Sequence, residues 1–370
     1  MSDAEDHTRG GPSSGQRLWR AAPGESQGAP RESRDLIARL ARLVREEKGE
    51  ILLLSGDLFD AERVYPETLD CLRDTLAELN CPVFIAPGNR DPFTPVSPYA
   101  LHRWPENVHI FREEDLQAMV LPDLDCVVYG AAFTGREREE QVLAGFSVRE
   151  DGRTHILCLH GAVGGPGNGC GPILREQLAA SGLHYAALGH VHQCSGLQRD
   201  GATYWAYPGC PEGRGFDELG DKGVLVGTAD RERVEMRFVP LCRRRYRVLE
   251  ADVTNSSPEE ALEAVIPEGA EEDICRIVFV GESDERGADL PALESAYRDR
   301  FYSLELRDKT RPGRSLWAKA GEDTLRGFFL REMKARYDAA PSEEAREDVA
   351  LAVRFGLAAL GGLPDGQSRD

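Results

Sequence analysis

Short apolar runs that stop abruptly at polar residues recur along this chain. The first, Ile51 to Leu54, closes on Ser55-Gly56-Asp57-Leu58-Phe59-Asp60. Four consecutive branched residues predict a strand covered on both faces, and Gly56 allows a sharp turn where Asp57 emerges. Ahead of it Leu36, Ile37, Leu40, Leu43 and Val44 recur at helical spacing, so Ser33 to Lys48 is expected as an amphipathic helix. A second helix is expected at Pro66 to Leu79, with Leu69, Leu72, Leu76 and Leu79 on one face, followed by a strand at Val83 to Ala86. That strand closes on Pro87-Gly88-Asn89-Arg90-Asp91. Helix, strand, helix, strand, with polar residues at each strand's C-terminal end, predicts a layered α/β arrangement whose site lies beyond the strand ends.

Further strands are expected at Val108 to Phe111, Cys126 to Tyr129, His155 to Leu159, His184 to Leu188, Thr203 to Ala206, Gly223 to Gly227 and Val234 to Val239. Their short spacing suggests a second, more antiparallel sheet. The glycine-rich stretch Gly161 to Gly171 lacks the GxGxxG spacing of a nucleotide loop and reads as a surface loop. After Arg243-Arg244-Arg245-Tyr246-Arg247 the texture changes. Tyr246 to Val253, Pro258 to Val265, Cys275 to Val280, Leu290 to Tyr297 and Phe301 to Leu306 read as strand, helix, strand, helix, strand. Two helices close the chain, one carrying Leu325, Phe328, Phe329 and Met333 on a face, the other Val349, Val353, Leu357 and Leu360. Met1 to Glu32 is rich in Gly, Pro, Ser and Arg and is expected to be disordered.

Composition narrows the class. At 370 residues the chain exceeds a usual single domain, so a large domain with smaller companions is expected. No apolar stretch approaches a membrane span, and Met1 to Arg34 lacks the apolar centre of a signal peptide. Nine cysteines in no CxxC spacing favour a reducing, cytoplasmic setting without a disulfide framework. A formal net charge of -19 argues against broad nucleic-acid binding over the whole surface, though not against a local basic groove.

The candidate chemistry sits at the strand ends. Beside Asp57 and Asn89 stand His160 in Leu159-His160-Gly161, and His190 and His192 in Gly189-His190-Val191-His192. Carboxylate, amide oxygen and imidazole suit manganese, iron or zinc, and one carboxylate can bridge two ions. Two close ions would clamp a phosphoryl displacement. If the segment after Gly189 is extended, His190 and His192 point the same way.

GDLFD, GNRD, LHG and GHVH, in that order, resemble the calcineurin-like metallophosphoesterases. With Tyr207-Pro208-Gly209 and Arg214-Gly215-Phe216-Asp217-Glu218, the set looks most like the SbcD-type and YhaO-type DNA repair exonucleases. The resemblance implies a two-sheet sandwich flanked by helices over about 33–241, an α+β capping domain over 246–307 and a helical segment over 320–363. It implies that Asp57 bridges two metals, manganese first among the choices, that Asn89, His160 and His190 complete one site, and that His192 belongs to the other. It places Arg90 and Asp91 at the catalytic position. Implied partners are DNA and an SbcC-like coiled-coil ATPase, with homodimerisation open and no membrane.

Two departures stand out. The family opens on a strand ending in DxH; no strand is read ahead of Ser33, and the nearest match is Glu5-Asp6-His7. Arg90 stands where the family has a histidine in GNHD, and a guanidinium cannot give up a proton at working pH. A weakened exonuclease subunit is therefore the expectation. Its alternatives are a phosphoesterase on a small substrate and an inactive subunit that binds DNA or a partner. Arg243 to Arg247, with Tyr246 interleaved, is either a phosphate-binding run or a solvated domain junction. Cys170, Cys194 and Cys210 lie near the site without the spacing of a zinc ribbon.

Overall fold

The computed structural model describes residues 29–59, 64–164, 170–283 and 288–361. The disorder expected for Met1 to Glu32 thus falls almost wholly outside the described residues, as do residues 165–169 of the glycine-rich stretch. The chain divides into two units, one running to Arg214 and taking in Asp221–Arg243, the other made of Gly215–Gly220 and everything from Arg244.

The first unit is a two-sheet sandwich. Strands Leu52–Leu54, Val83–Ile85 and Val108–Ile110 form a parallel sheet of three. A second sheet of six runs in the order Gln198–Asp200, Thr203–Ala206, Tyr185–Gly189, Thr154–His160, Cys126–Gly130, Gln117–Leu121. Its four central strands are mutually parallel and its two edges antiparallel. A separate antiparallel pair, Gly223–Ala229 with Val234–Pro240, belongs to the same unit.

Side-chain alternation explains why the central strands read as unbroken apolar runs. Along Thr154–His160, Ile156 and Cys158 join Phe84, Phe111 and Val128 between the sheets, whereas Leu157 and Leu159 face Leu178 of helix Arg175–Ser181. In the first sheet Val83 and Ile85 turn outward, against Ala41 of helix Ala29–Glu46 and Leu69, Leu72 and Leu76 of helix Pro66–Ala77. Helices therefore cover both outer faces, and the strand C-termini are left to carry loops.

The second unit is built on the parallel sheet Tyr246–Asp252, Ile274–Val280, Ser303–Asp308, with helices Pro258–Val265 and Leu290–Tyr297 as its crossovers. Helix Pro258–Val265 starts on a capping box, the Ser257 hydroxyl accepting from Glu260 N–H while Glu260 reaches back to Ser257 N–H. Ile277, Phe279, Leu262 and Leu306 fill its core. Helices Leu325–Asp338 and Glu343–Gly361 pair through Leu330, Met333, Val353 and Leu357, leaving Leu325, Phe328, Leu351 and Phe355 exposed.

The basic run is tied down within this unit. Asp273 is fully buried and accepts from Arg245 Nε at 2.8 Å and Arg247 Nε at 2.6 Å. Arg244 lies over the Tyr302 ring, 3.6 Å from its centroid. Three of the four arginines in that run are thus engaged inside the unit, which favours the junction reading over a phosphate-binding one. All nine cysteines are free thiols, and among the described residues no helix is long and apolar enough to cross a membrane.

Candidate metal centre

His160 ends its strand and is 1% exposed. Its Nδ1 lies 2.9 Å from the Ser55 carbonyl oxygen. A carbonyl only accepts, so Nδ1 carries the hydrogen, and burial holds the ring neutral by lowering its pKa. Nε2 is left with a lone pair, 3.1 Å from Asn89 Oδ1 and 3.6 Å from Asp57 Oδ2. Three lone-pair donors then face one another without a proton between them. That arrangement is repulsive in itself and favourable around a cation.

His190 lies next to it, its ring 5.3 Å from that of His160 and nearly perpendicular to it. Burial first, and His160 next, push its pKa down to about 4, so this imidazole is also neutral at neutral pH. Carboxylate, amide oxygen and two neutral imidazoles fit a divalent transition metal ion. Counting His, Cys, Asp and Glu alone, no group of three or more among the described residues is arranged to hold an ion, so Asp57, His160 and His190 do not form such a group by themselves; the close contacts are those of His160 with Asn89 and Asp57.

The loops that carry these donors are strained and tightly fitted. Asp57 has φ 55° and His190 φ 107°, conformations that cost a non-glycine residue on the order of 1–3 kcal/mol. The segment after Gly189 is therefore not extended. His190 and His192 do not share a strand face as the sequence pattern suggested: His192 is exposed, and its carbonyl oxygen accepts from Cys210 N–H at 3.2 Å and Lys222 Nζ at 3.3 Å. A Cβ on Gly189 would overlap the Ser55 carbonyl and stand 3.0 Å from His160 Nδ1. Gly189→Ala is expected to break the His160 anchor, lowering stability by about 1–3 kcal/mol and weakening metal binding with it. Melting and metal titration check this; an unchanged melting temperature would contradict the fit.

Asp91, expected as a catalytic residue, is instead a positioning residue. It is 3% exposed, and its oxygens accept from the N–H groups of Asp57 at 3.0 Å, Leu58 at 2.6 Å, Phe59 at 3.1 Å and Gly88 at 2.8 Å, and from Tyr99 OH at 2.6 Å. The two donor loops are clamped together by this one carboxyl. Burial, then the Asp57 charge, pushes its pKa up to about 7, against the pull of those donors. Arg90 sits differently. Its N–H donates to Asp57 Oδ1 at 3.0 Å, while its guanidinium Nε stands 3.7 Å from Asp57 Oδ2 and remains partly exposed. A fixed positive charge is thus held beside the carboxylate.

Residues 28–194 match the calcineurin-like phosphoesterase family, a span that contains Asp57, Asn89, His160 and His190. Over that span the chain is similar to the calcineurin-like phosphoesterases. The uncharacterized metallophosphoesterase YhaO of Bacillus subtilis (strain 168) is 32% identical over 193 residues, covering 49% of this chain and 45% of the relative. The match spans less than half of that curated relative's length. Metallophosphoesterases use divalent metals, in agreement with the donor set.

Asp60 and the Glu5-Asp6-His7 match lie outside the described residues. His192 is exposed, whereas His160 is buried. Cys210 Sγ is 3.4 Å from the His192 carbonyl oxygen and takes no place among the donors. Tyr99 was not singled out from the sequence, and no spacing announces it; its hydroxyl matters only because Asp91 is buried beneath the loops.

Proposed function

We propose that this protein is a metal-dependent phosphodiester hydrolase acting on DNA, with weakened activity, in the manner of an exonuclease subunit. The observation that carries the reading is the convergence of Asp57, Asn89 and the Nε2 of His160 on one point, with the His160 tautomer fixed by Ser55. Manganese is the preferred ion, since oxygen and imidazole donors are mixed. An ion there supplies Lewis-acid stabilisation to a phosphoryl oxygen. Asp57, Asn89, His160 and His190 would hold it. Asp91 keeps the two loops in register, and Arg90 offers guanidinium N–H groups to a phosphate oxygen of the substrate.

Arg90 also explains why activity would be low. It keeps a positive charge beside Asp57 but has no proton to give to a departing alkoxide. The coiled-coil ATPase partner remains part of the proposal, with the exposed Leu325, Phe328, Leu351 and Phe355 as its contact; Leu357 is buried and belongs to the helix pair's own core. DNA as substrate is favoured by likeness of motif, and the engaged Arg244, Arg245 and Arg247 are left out of its contacts.

The test compares two leaving groups. With manganese, the unaltered chain should hydrolyse bis-p-nitrophenyl phosphate, whose nitrophenolate leaves unaided, better relative to a DNA duplex end than a nuclease with a general acid would. Arg90→His should raise cleavage of the duplex end by up to about 100-fold while moving the nitrophenyl ester little. An equal change on both substrates would contradict the role given to Arg90. Absence of any manganese-dependent turnover on either would sink the hydrolase reading.

A further inference from the structure

The first unit also holds a concavity whose lining includes none of the metal donors. A cavity of about 390 Å³ is lined by Phe93, Tyr99, His102, Arg103, Trp104 and Arg112, among others. That volume is within the range of small-ligand sites. Its wall is aromatic: Tyr99 and Trp104 rings lie 6.1 Å apart, and the Arg112 guanidinium is 5.8 Å from the Phe93 centroid. Its charge is one-sided. In a chain with 64 acidic and 45 basic residues, two guanidinium groups and an imidazole line this cavity, and no carboxylate among the described residues does. Neither Arg103 nor Arg112 forms an ion pair among the described residues, and the Trp104 indole N–H is buried there without an acceptor.

We infer that this cavity is a nucleotide-binding subsite, taking a base against Phe93 and Trp104 and the attached phosphate on Arg103 and Arg112. Aromatic faces interleaved with arginine are what stacked bases and their phosphates require, and stacking contributes about 1–3 kcal/mol per base. The cavity is built on the metal-site loop itself. Phe93 follows Asn89 by four residues, which span at most about 14 Å. It is fixed by its N–H to the Phe133 carbonyl at 2.7 Å. Tyr99, in the cavity wall, donates to the same Asp91 that clamps Asp57 and Gly88. A strand end seated here would present a neighbouring phosphodiester to the donor set. This deepens the phosphodiesterase reading by naming where a nucleotide of the substrate rests, but occupancy of the cavity is measured without catalysis.

The experiment is calorimetric titration of the full chain in EDTA with AMP, adenosine, inorganic phosphate and a single-stranded deoxyadenosine hexamer. AMP should bind saturably and more tightly than adenosine or phosphate alone, and the hexamer more tightly than AMP. Arg103→Glu and Arg112→Glu, both at exposed positions, should each weaken AMP by about tenfold or more, with melting temperature unchanged. Trp104→Phe should remove the quenching of tryptophan emission that AMP causes. Asp57→Ala should leave AMP binding intact. No saturation, AMP binding by either arginine variant as tight as by the unaltered chain, or loss of binding in Asp57→Ala would overturn the subsite. AMP binding more tightly than the hexamer would overturn its link to a nucleic-acid strand. Manganese-dependent turnover without AMP binding would sink the subsite alone; AMP binding without turnover would sink the hydrolase reading alone.

Discussion

Replacing His160 with alanine is expected to release the bound divalent ion and take phosphodiester hydrolysis to background. His160 is the residue through which the site is assembled. Its Nδ1 is fixed on Ser55, which ties strand Leu52–Leu54 to the end of Thr154–His160, and its Nε2 faces Asn89 and Asp57. Loss of an outer hydrogen-bonding partner of a ligand already weakens metal binding about 10-fold to 100-fold, so loss of the ligand itself should exceed that. The buried ring also fills space against Phe133, 5.6 Å away edge-on, so some stability is lost with it. His160→Gln separates the two effects: it refills the volume without restoring the imidazole. Manganese titration of both variants checks this. Affinity within about threefold of the unaltered chain in either variant would remove His160 from the donor set.

The largest stability effect is expected at Asp273 in the second unit. Its carboxylate is fully buried and holds two guanidinium groups, each about 30% exposed at the side chain. Removing one member of a buried pair costs about 3–5 kcal/mol, and the partial hydration of both arginines places Asp273→Ala near the lower figure. Asp273→Asn keeps the shape and should cost nearly as much, since charge is what the arginines lose. Chemical denaturation of the full chain, followed by far-ultraviolet circular dichroism, measures it. A loss below about 1 kcal/mol would mean that Arg245 and Arg247 are held by something other than this carboxylate, and the basic run would return as a candidate phosphate surface.

Apolar runs closing on polar residues made the sandwich legible, because strands covered on both faces leave no alternation to confuse with a helix. The edge strands were not legible. Gln198–Asp200 contains no apolar residue and is held by its pairing to Thr203–Ala206 across the two-residue turn Gly201-Ala202, with Gly201 at φ 61°. Gln117–Leu121 alternates half-buried and exposed, as an edge does, over too few residues to stand out. Among the site residues, His160 Nε2 lies 3.1 Å from Asn89 Oδ1 and 3.6 Å from Asp57 Oδ2, and the His190 ring lies 5.3 Å from that of His160. What failed was inference about direction: His190 leaves its strand at a positive φ, so period two no longer applies, and Asp91 turns inward to serve backbone amides. The direction of Asp91 depends on how two loops meet, through contacts 33 and 34 residues apart in sequence.

The metal content of the unaltered chain tests the central claim most directly. The full chain would be loaded with manganese, freed of excess by dialysis and analysed for bound ion alongside Asp57→Ala. The described donors form a single set, so one ion per chain is expected, absent in Asp57→Ala. No retained manganese in the unaltered chain, or the same content in both proteins, would contradict the assignment of Asp57, Asn89, His160 and His190 as its ligands.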